Sequence, residues 1–162
     1  LEVARLLKHE NVRFVIAGRG DIEAEARLRK EYGVVEFLGW LDPQGLINVL
    51  RDVDVGLIPF SPDPERAHFY ASPLKLYDYL VAGVVPVVTD AGDFGRLVKD
   101  HGLGLAAAWH PEAFARALKS LAQGDEELAR FRERVNAVRS DFTWARVLEG
   151  LEDLLKRVRD RR

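Results

Sequence analysis

Five short runs rich in Val, Ile, Leu and Phe, at about Val12–Ala17, Val34–Leu38, Val55–Phe60, Val85–Thr89 and Leu103–Ala106, alternate with longer stretches of helical period. A strand with no polar side must be covered on both faces. The alternation therefore predicts an α/β fold: a doubly wound, Rossmann-like parallel sheet with helices on both faces. From Pro111 onward three amphipathic stretches, separated by Gly124-Asp125 and by Asp141-Phe142-Thr143, add helices and no strand, so the C-terminal third is expected to be helical.

The helix signals between the strands are local. A first helix is read at about Glu2–His9. Gly18-Arg19-Gly20-Asp21 turns into a charged helix that ends near Tyr32 and Gly33. Asp42 and Pro43 form an N-cap and first helical position for a helix running to about Arg51. Ser61–Ala71, with Pro62 and Pro64, is the longest loop, and a later helix is read from about Phe94 to Asp100. The chain opens on a helix where a βα domain usually opens on a strand. In a doubly wound sheet the first strand is commonly central, so its absence predicts a gap between two halves of the sheet.

Composition removes several function classes. The 162 residues suit one domain, and the formal charge of −2 offers no broad basic field for a nucleic-acid backbone. No apolar run approaches the roughly 20 residues of a membrane-spanning helix, and the opening LEVARLLKHE lacks the apolar core of a signal peptide, so a cytoplasmic location is expected. The chain has no Cys, and its four His are scattered, so no metal site is expected. It also has no Met, and is therefore read as a fragment of a longer protein.

The segment SPLKLYDYLVAGVVPVV, residues 72–88, carries the chemistry. Ser72 is a good N-cap and Pro73 a good first helical residue, which leaves the backbone N–H groups of Leu74 and Lys75 at the positive end of the helix dipole. An anion such as a diphosphate fits there. Lys75 adds a full charge, and Asp78, three residues on along the same face, is placed to accept hydrogen bonds from ribose hydroxyls. By spacing alone the same residues also read as an ordinary cap followed by solvated charges.

The wider sequence adds to this. Asp78-Tyr79-Leu80-Val81-Ala82-Gly83-Val84-Val85-Pro86-Val87-Val88 resembles a stretch in the C-terminal domain of the GT-B-fold retaining glycosyltransferases of the group 1 (family 4) class. Phe14-Val15-Ile16-Ala17-Gly18-Arg19-Gly20 is similar to that family's strand and Gly-x-Gly turn. Val35-Glu36-Phe37-Leu38-Gly39-Trp40 and Asp52-Val53-Asp54-Val55-Gly56-Leu57-Ile58-Pro59 are similar to two further strands, and Phe142-Thr143-Trp144 to the aromatic pair opening its last helix. These segments occur in the family's order and span nearly the whole chain.

The resemblance implies that residues 1–162 form a single nucleotide-sugar-binding domain, the C-terminal half of a GT-B fold, lacking its first strand and the N-terminal acceptor domain of the parent chain. It implies a nucleotide-diphosphate sugar as donor substrate, a UDP- or GDP-sugar, with no separate cofactor. Asp78 takes the position that binds ribose, and Ser72, Pro73, Leu74 and Lys75 lie in the loop and helix start that meet the diphosphate. Lys75 is the residue placed to stabilise the leaving nucleoside diphosphate. Trp40 and Leu41 would flank the nucleobase, and Gly18 and Gly20 would let the backbone pass close to the donor. For Trp40 ordinary partial burial, and for the glycines a simple tight turn, are the competing readings.

The intact protein would then transfer a sugar to an acceptor hydroxyl with retention, in polysaccharide or glycolipid biosynthesis, with peripheral contact to the inner face of a membrane. Two departures from the family pattern bear on this. Tyr70 stands where the commoner pattern has a Glu touching the transferred sugar, as in a variant subgroup that shares the S-P-L-K-L wording, and Glu65 or His68 in the preceding loop is the candidate substitute. The family's Arg and Lys pair would lie before Leu1, so the fragment alone is expected not to turn over. A non-catalytic nucleotide-sugar-binding or regulatory domain and a GT-B sugar-nucleotide epimerase remain as rivals. A dehydrogenase is disfavoured, since Gly18-Arg19-Gly20 lacks the third glycine of the dinucleotide fingerprint.

Overall fold

The computed structural model describes residues 1–19, 26, 29–31, 33, 35–63 and 73–160, apart from the side chains at 147, 152 and 153. The elements run α1 (Glu2–Leu6), β1 (Phe14–Ala17), β2 (Val35–Gly39), α2 (Pro43–Arg51), β3 (Val55–Ile58), α3 (Leu74–Ala82), β4 (Val85–Thr89), α4 (Gly92–Asp100), β5 (Leu105–Ala107), α5 (Pro111–Gln123) and α6 (Asp125–Val138), a 3-10 turn (Arg139–Phe142), and α7 (Trp144–Arg159). All strand pairings among the described residues are parallel. No helix among these residues is long and apolar enough to cross a membrane.

The sheet is not continuous. β1 pairs with β2, and β3, β4 and β5 form a second sheet with β4 in the middle. The α/β class with parallel strands flanked by helices is as expected, and the break between the two sheets agrees with the gap expected between two halves of the sheet. The reason is that no described strand lies between β1 and β3 to supply the backbone donors and acceptors that would join them.

Packing follows the period of two that a strand imposes. On one face of the second sheet Val85 and Val87 of β4 meet Leu7, Phe114, Leu118, Leu121 and Phe131. On the other face Val88 and Ile58 meet Leu76 and Leu80 of α3, Phe94 and Val98 of α4, and Val135. β4 is buried along its length because helices cover it from both sides.

Local chemistry sets most boundaries. The Asp42 carboxylate accepts from the Gly45 N–H at 2.6 Å and caps α2, with Pro43 in its first turn. The α3 helix stops at Gly83 (φ 80°), whose left-handed backbone lets the Val84 N–H reach the Tyr79 carbonyl at 2.9 Å before β4 begins. α7 starts under a Thr143 hydroxyl that accepts from Arg146 N–H.

Candidate functional site

In a parallel sheet the carboxyl ends of the strands form one edge, and ligands bind there because helix N-termini and loops open onto it. Two groups of candidate residues lie at such edges, one on each sheet.

The first group surrounds the start of α3. Helical geometry begins at Leu74, and Pro73 is the N-cap, extended at φ −68° and ψ 118°, with no side-chain capping bond. Pro73 was expected one place later, as the first helical residue. It stays outside because its ψ is extended, and its carbonyl accepts the Leu76 N–H at 2.9 Å. Ser72, the expected cap, lies outside the described residues, as do Gly20, Glu65, His68 and Tyr70. Leu74 and Lys75 are thereby the first two helical positions, where N–H groups have no intrahelical acceptor. Leu74 is 74% exposed. Pro73 is buried, which anchors this end of the helix to the body.

Lys75 is exposed, and its Nζ sits 5.1 Å from the centre of the Phe60 ring. Phe60 follows β3 by two residues and meets Phe94 edge-on, with ring centres 5.9 Å apart. The lysine is thus held over an aromatic face at the carboxyl end of β3 by its attraction to the ring quadrupole. Asp78 is exposed on the same helix, three residues on.

Tyr79 faces inward, against β3: a Cβ built on Gly56 would come within 2.3 Å of its ring. Gly56 therefore lets α3 approach the sheet closely. Burial pushes the Tyr79 phenol above its ordinary value, and the neighbouring Asp78 charge adds to the rise.

The second group stands at the ends of β1 and β2. Gly18 (φ 150°) donates its N–H to the Gly39 carbonyl at 2.7 Å, tying the two strand ends together. The next residue, Arg19, places its guanidinium 5.1 Å from the ring centre of Trp40. Trp40 is 60% exposed, and Leu41 beside it is partly buried ahead of the Asp42 cap. A stacked guanidinium leaves the indole ordered yet open to solvent, which suits contact with a flat, uncharged ligand ring.

The structure thus brings Gly18, Trp40 and Leu41 together at one edge, and Pro73, Leu74, Lys75 and Asp78 at the other. Sequence reasoning missed Arg19, overshadowed by the glycines beside it, and Phe60, which was read as the end of a strand. A basic residue two positions after an apolar strand, within the glycine turn, was the available signal for Arg19. No such signal marked Phe60, whose role depends on α3 arriving beside it. Among the described residues no cluster of His, Asp and Glu could hold a metal ion.

The family model described as Glycosyl transferases group 1 matches residues 1–124. A putative teichuronic acid biosynthesis glycosyltransferase, TuaH, of Bacillus subtilis (strain 168) is 28% identical over 121 residues, covering 74% of this chain and 30% of that protein. Among solved structures, sucrose-phosphate synthase from Thermosynechococcus elongatus superposes with a TM-score of 0.71 at 20% identity, over 99% of this chain and 42% of that one. WaaG, a glycosyltransferase involved in lipopolysaccharide biosynthesis, gives 0.65 at 16% identity, over 86% of this chain and 37% of that one. The chain therefore spans less than half the length of each of these relatives.

Proposed function

The chain belongs to the group 1 glycosyl transferases, and from that premise we propose that it is the donor-binding domain of a GT-B enzyme, holding a nucleoside-diphosphate sugar for transfer to an acceptor hydroxyl with retention. The observation that carries this reading is the opening of α3 at the carboxyl edge of a parallel sheet: a helix that starts at Leu74, Lys75 over Phe60, and Asp78 one turn further in.

Each part has a physical task. The helix terminus and Lys75 neutralise the diphosphate, most strongly as it departs and its terminal phosphate gains charge. Asp78 accepts from the ribose hydroxyls. Trp40, braced by Arg19, packs against the base, and Leu41 extends that contact. Gly18 keeps the end of β1 free of a side chain. The acceptor is held by a further domain of the parent protein, and the reaction is assembled between the two. Such an enzyme is cytoplasmic, needs no cofactor, and works at the inner face of a membrane when its acceptor is a glycolipid.

Calorimetric titration of the chain with UDP, GDP and ADP, each compared with its sugar conjugate, tests the reading. One nucleoside diphosphate is expected to bind selectively, and Asp78→Ala to weaken it by about 1–3 kcal/mol, the worth of hydrogen bonds to a charged group. Unchanged affinity in Asp78→Ala would refute the ribose role, and an absence of binding by all three would refute the donor-domain reading for this chain.

A further inference from the structure

Trp109 follows β5 and is 53% exposed, yet it is held in place: its indole Nε1 donates to the Pro59 carbonyl at 3.3 Å. Pro59 directly follows β3, and β4 lies between β3 and β5. A side chain that leaves after β5 and bonds the carbonyl after β3 must cross the carboxyl end of β4. The ring therefore lies along the edge on which α3 opens. Its anchor, Pro59, is the residue before Phe60, whose ring carries Lys75.

The hydrophobic effect does not explain this arrangement. An indole half in water gives up much of the stabilisation that burial would bring, about 25 cal/mol for each Å² left exposed. Its one polar group is already satisfied by the protein, so the exposed remainder is a flat apolar surface with no donor of its own. Such a surface matches the face of a pyranose ring that carries axial C–H bonds, while the sugar hydroxyls point sideways to water and polar groups. A phosphate would gain nothing from it, because the electron-rich face of an aromatic ring repels anions.

We propose that Trp109 is a carbohydrate-stacking platform that receives the sugar ring of the donor, beyond the diphosphate held near Lys75. This rests on the donor-domain reading and extends it to the part of the donor that Asp78 and Trp40 do not reach. The hydrogen bond to Pro59 fixes the plane of the platform, and Phe60 links it to the lysine that sets where the diphosphate ends. The orientation is thus established before the sugar arrives, which reduces the ordering cost of binding.

The test compares a nucleoside diphosphate with its sugar conjugate by calorimetry, in the wild-type chain and in Trp109→Ala and Trp109→Phe. The readout is the ratio of the two affinities. In Trp109→Ala the nucleoside diphosphate is expected to bind within twofold of wild type, while the ratio falls by about threefold to tenfold, the range of a lost aromatic contact. Trp109→Phe keeps a ring, guards against an unfolded alanine variant, and is expected to retain more than half of the sugar's contribution. An unchanged ratio in Trp109→Ala overturns the proposal and leaves the indole as a cover for the end of β4. Equal losses for both ligands also overturn it, because Trp109 would then act through Pro59 and Phe60 on Lys75. If the wild-type chain binds no nucleoside diphosphate, the underlying reading fails, and this inference fails with it.

Discussion

The Tyr79 ring fills the space a side chain on Gly56 would need: a Cβ there would stand 2.3 Å from Cδ2 of the ring. The contact sets how closely α3 lies on β3, and so where Lys75 and Asp78 are presented. Gly56→Ala is expected to push the ring or the helix outward and to cost about 1–3 kcal/mol of stability, as overpacking of a core does. Urea unfolding measures this. A midpoint equal to wild type would show that the ring can move aside freely.

Tyr79 also gives a pH dependence. Its folded pKa is raised above the ordinary value of 10.0, chiefly by burial. The unfolded chain then loses the phenolic proton first. Stability from this group is intact below that ordinary value and falls as pH rises through the folded one. Tyr79→Phe is expected to flatten that fall, read as a smaller difference between unfolding midpoints at about pH 8 and about pH 11. An identical alkaline loss in the variant would place its origin in other groups.

The Arg19–Trp40 pair separates base recognition from phosphate recognition. Trp40→Ala is expected to weaken nucleoside-diphosphate binding by about 1–3 kcal/mol, the range for loss of a base-stacking aromatic, while leaving pyrophosphate affinity unchanged. Arg19→Ala removes only the brace and is expected to cost about 0.5–1 kcal/mol in the same titration. A Trp40→Ala loss that is equal for pyrophosphate would move the indole away from the base.

Asp42 gives a structural control on the helix that follows Leu41. Its carboxylate accepts from the Gly45 N–H at 2.6 Å. Asp42→Ala is expected to lower stability by about 1 kcal/mol, and Asp42→Asn, which keeps an acceptor, by much less. Equal losses in thermal unfolding would show that the carboxylate charge matters more than the cap.

Much of this architecture was legible residue by residue. Pro43 to Arg51, Val85 to Thr89 and the three helices after Pro111 fall where periodicity and capping placed them. A cap, a glycine stop or an alternating apolar strand is decided by residues a few positions apart, and those neighbours are visible in any sequence. The gap between the β1 and β3 sheets was legible for the related reason that a βα order counts its strands. The start of α3 was misplaced by one residue, because a proline suits either the cap or the first helical position, and the choice rests on the ψ it adopts against the body of the domain.

The sequence by itself thus determined the α/β class, the family and the helix on which Lys75 and Asp78 stand. Only the tertiary structure decided that Arg19 lies on Trp40, that Phe60 lies under Lys75, and that Trp109 reaches the Pro59 carbonyl 50 residues away. These contacts join loops at the ends of different strands. Their geometry depends on sheet order and on how closely each helix packs, quantities that arise from the whole core and from no local run of residues.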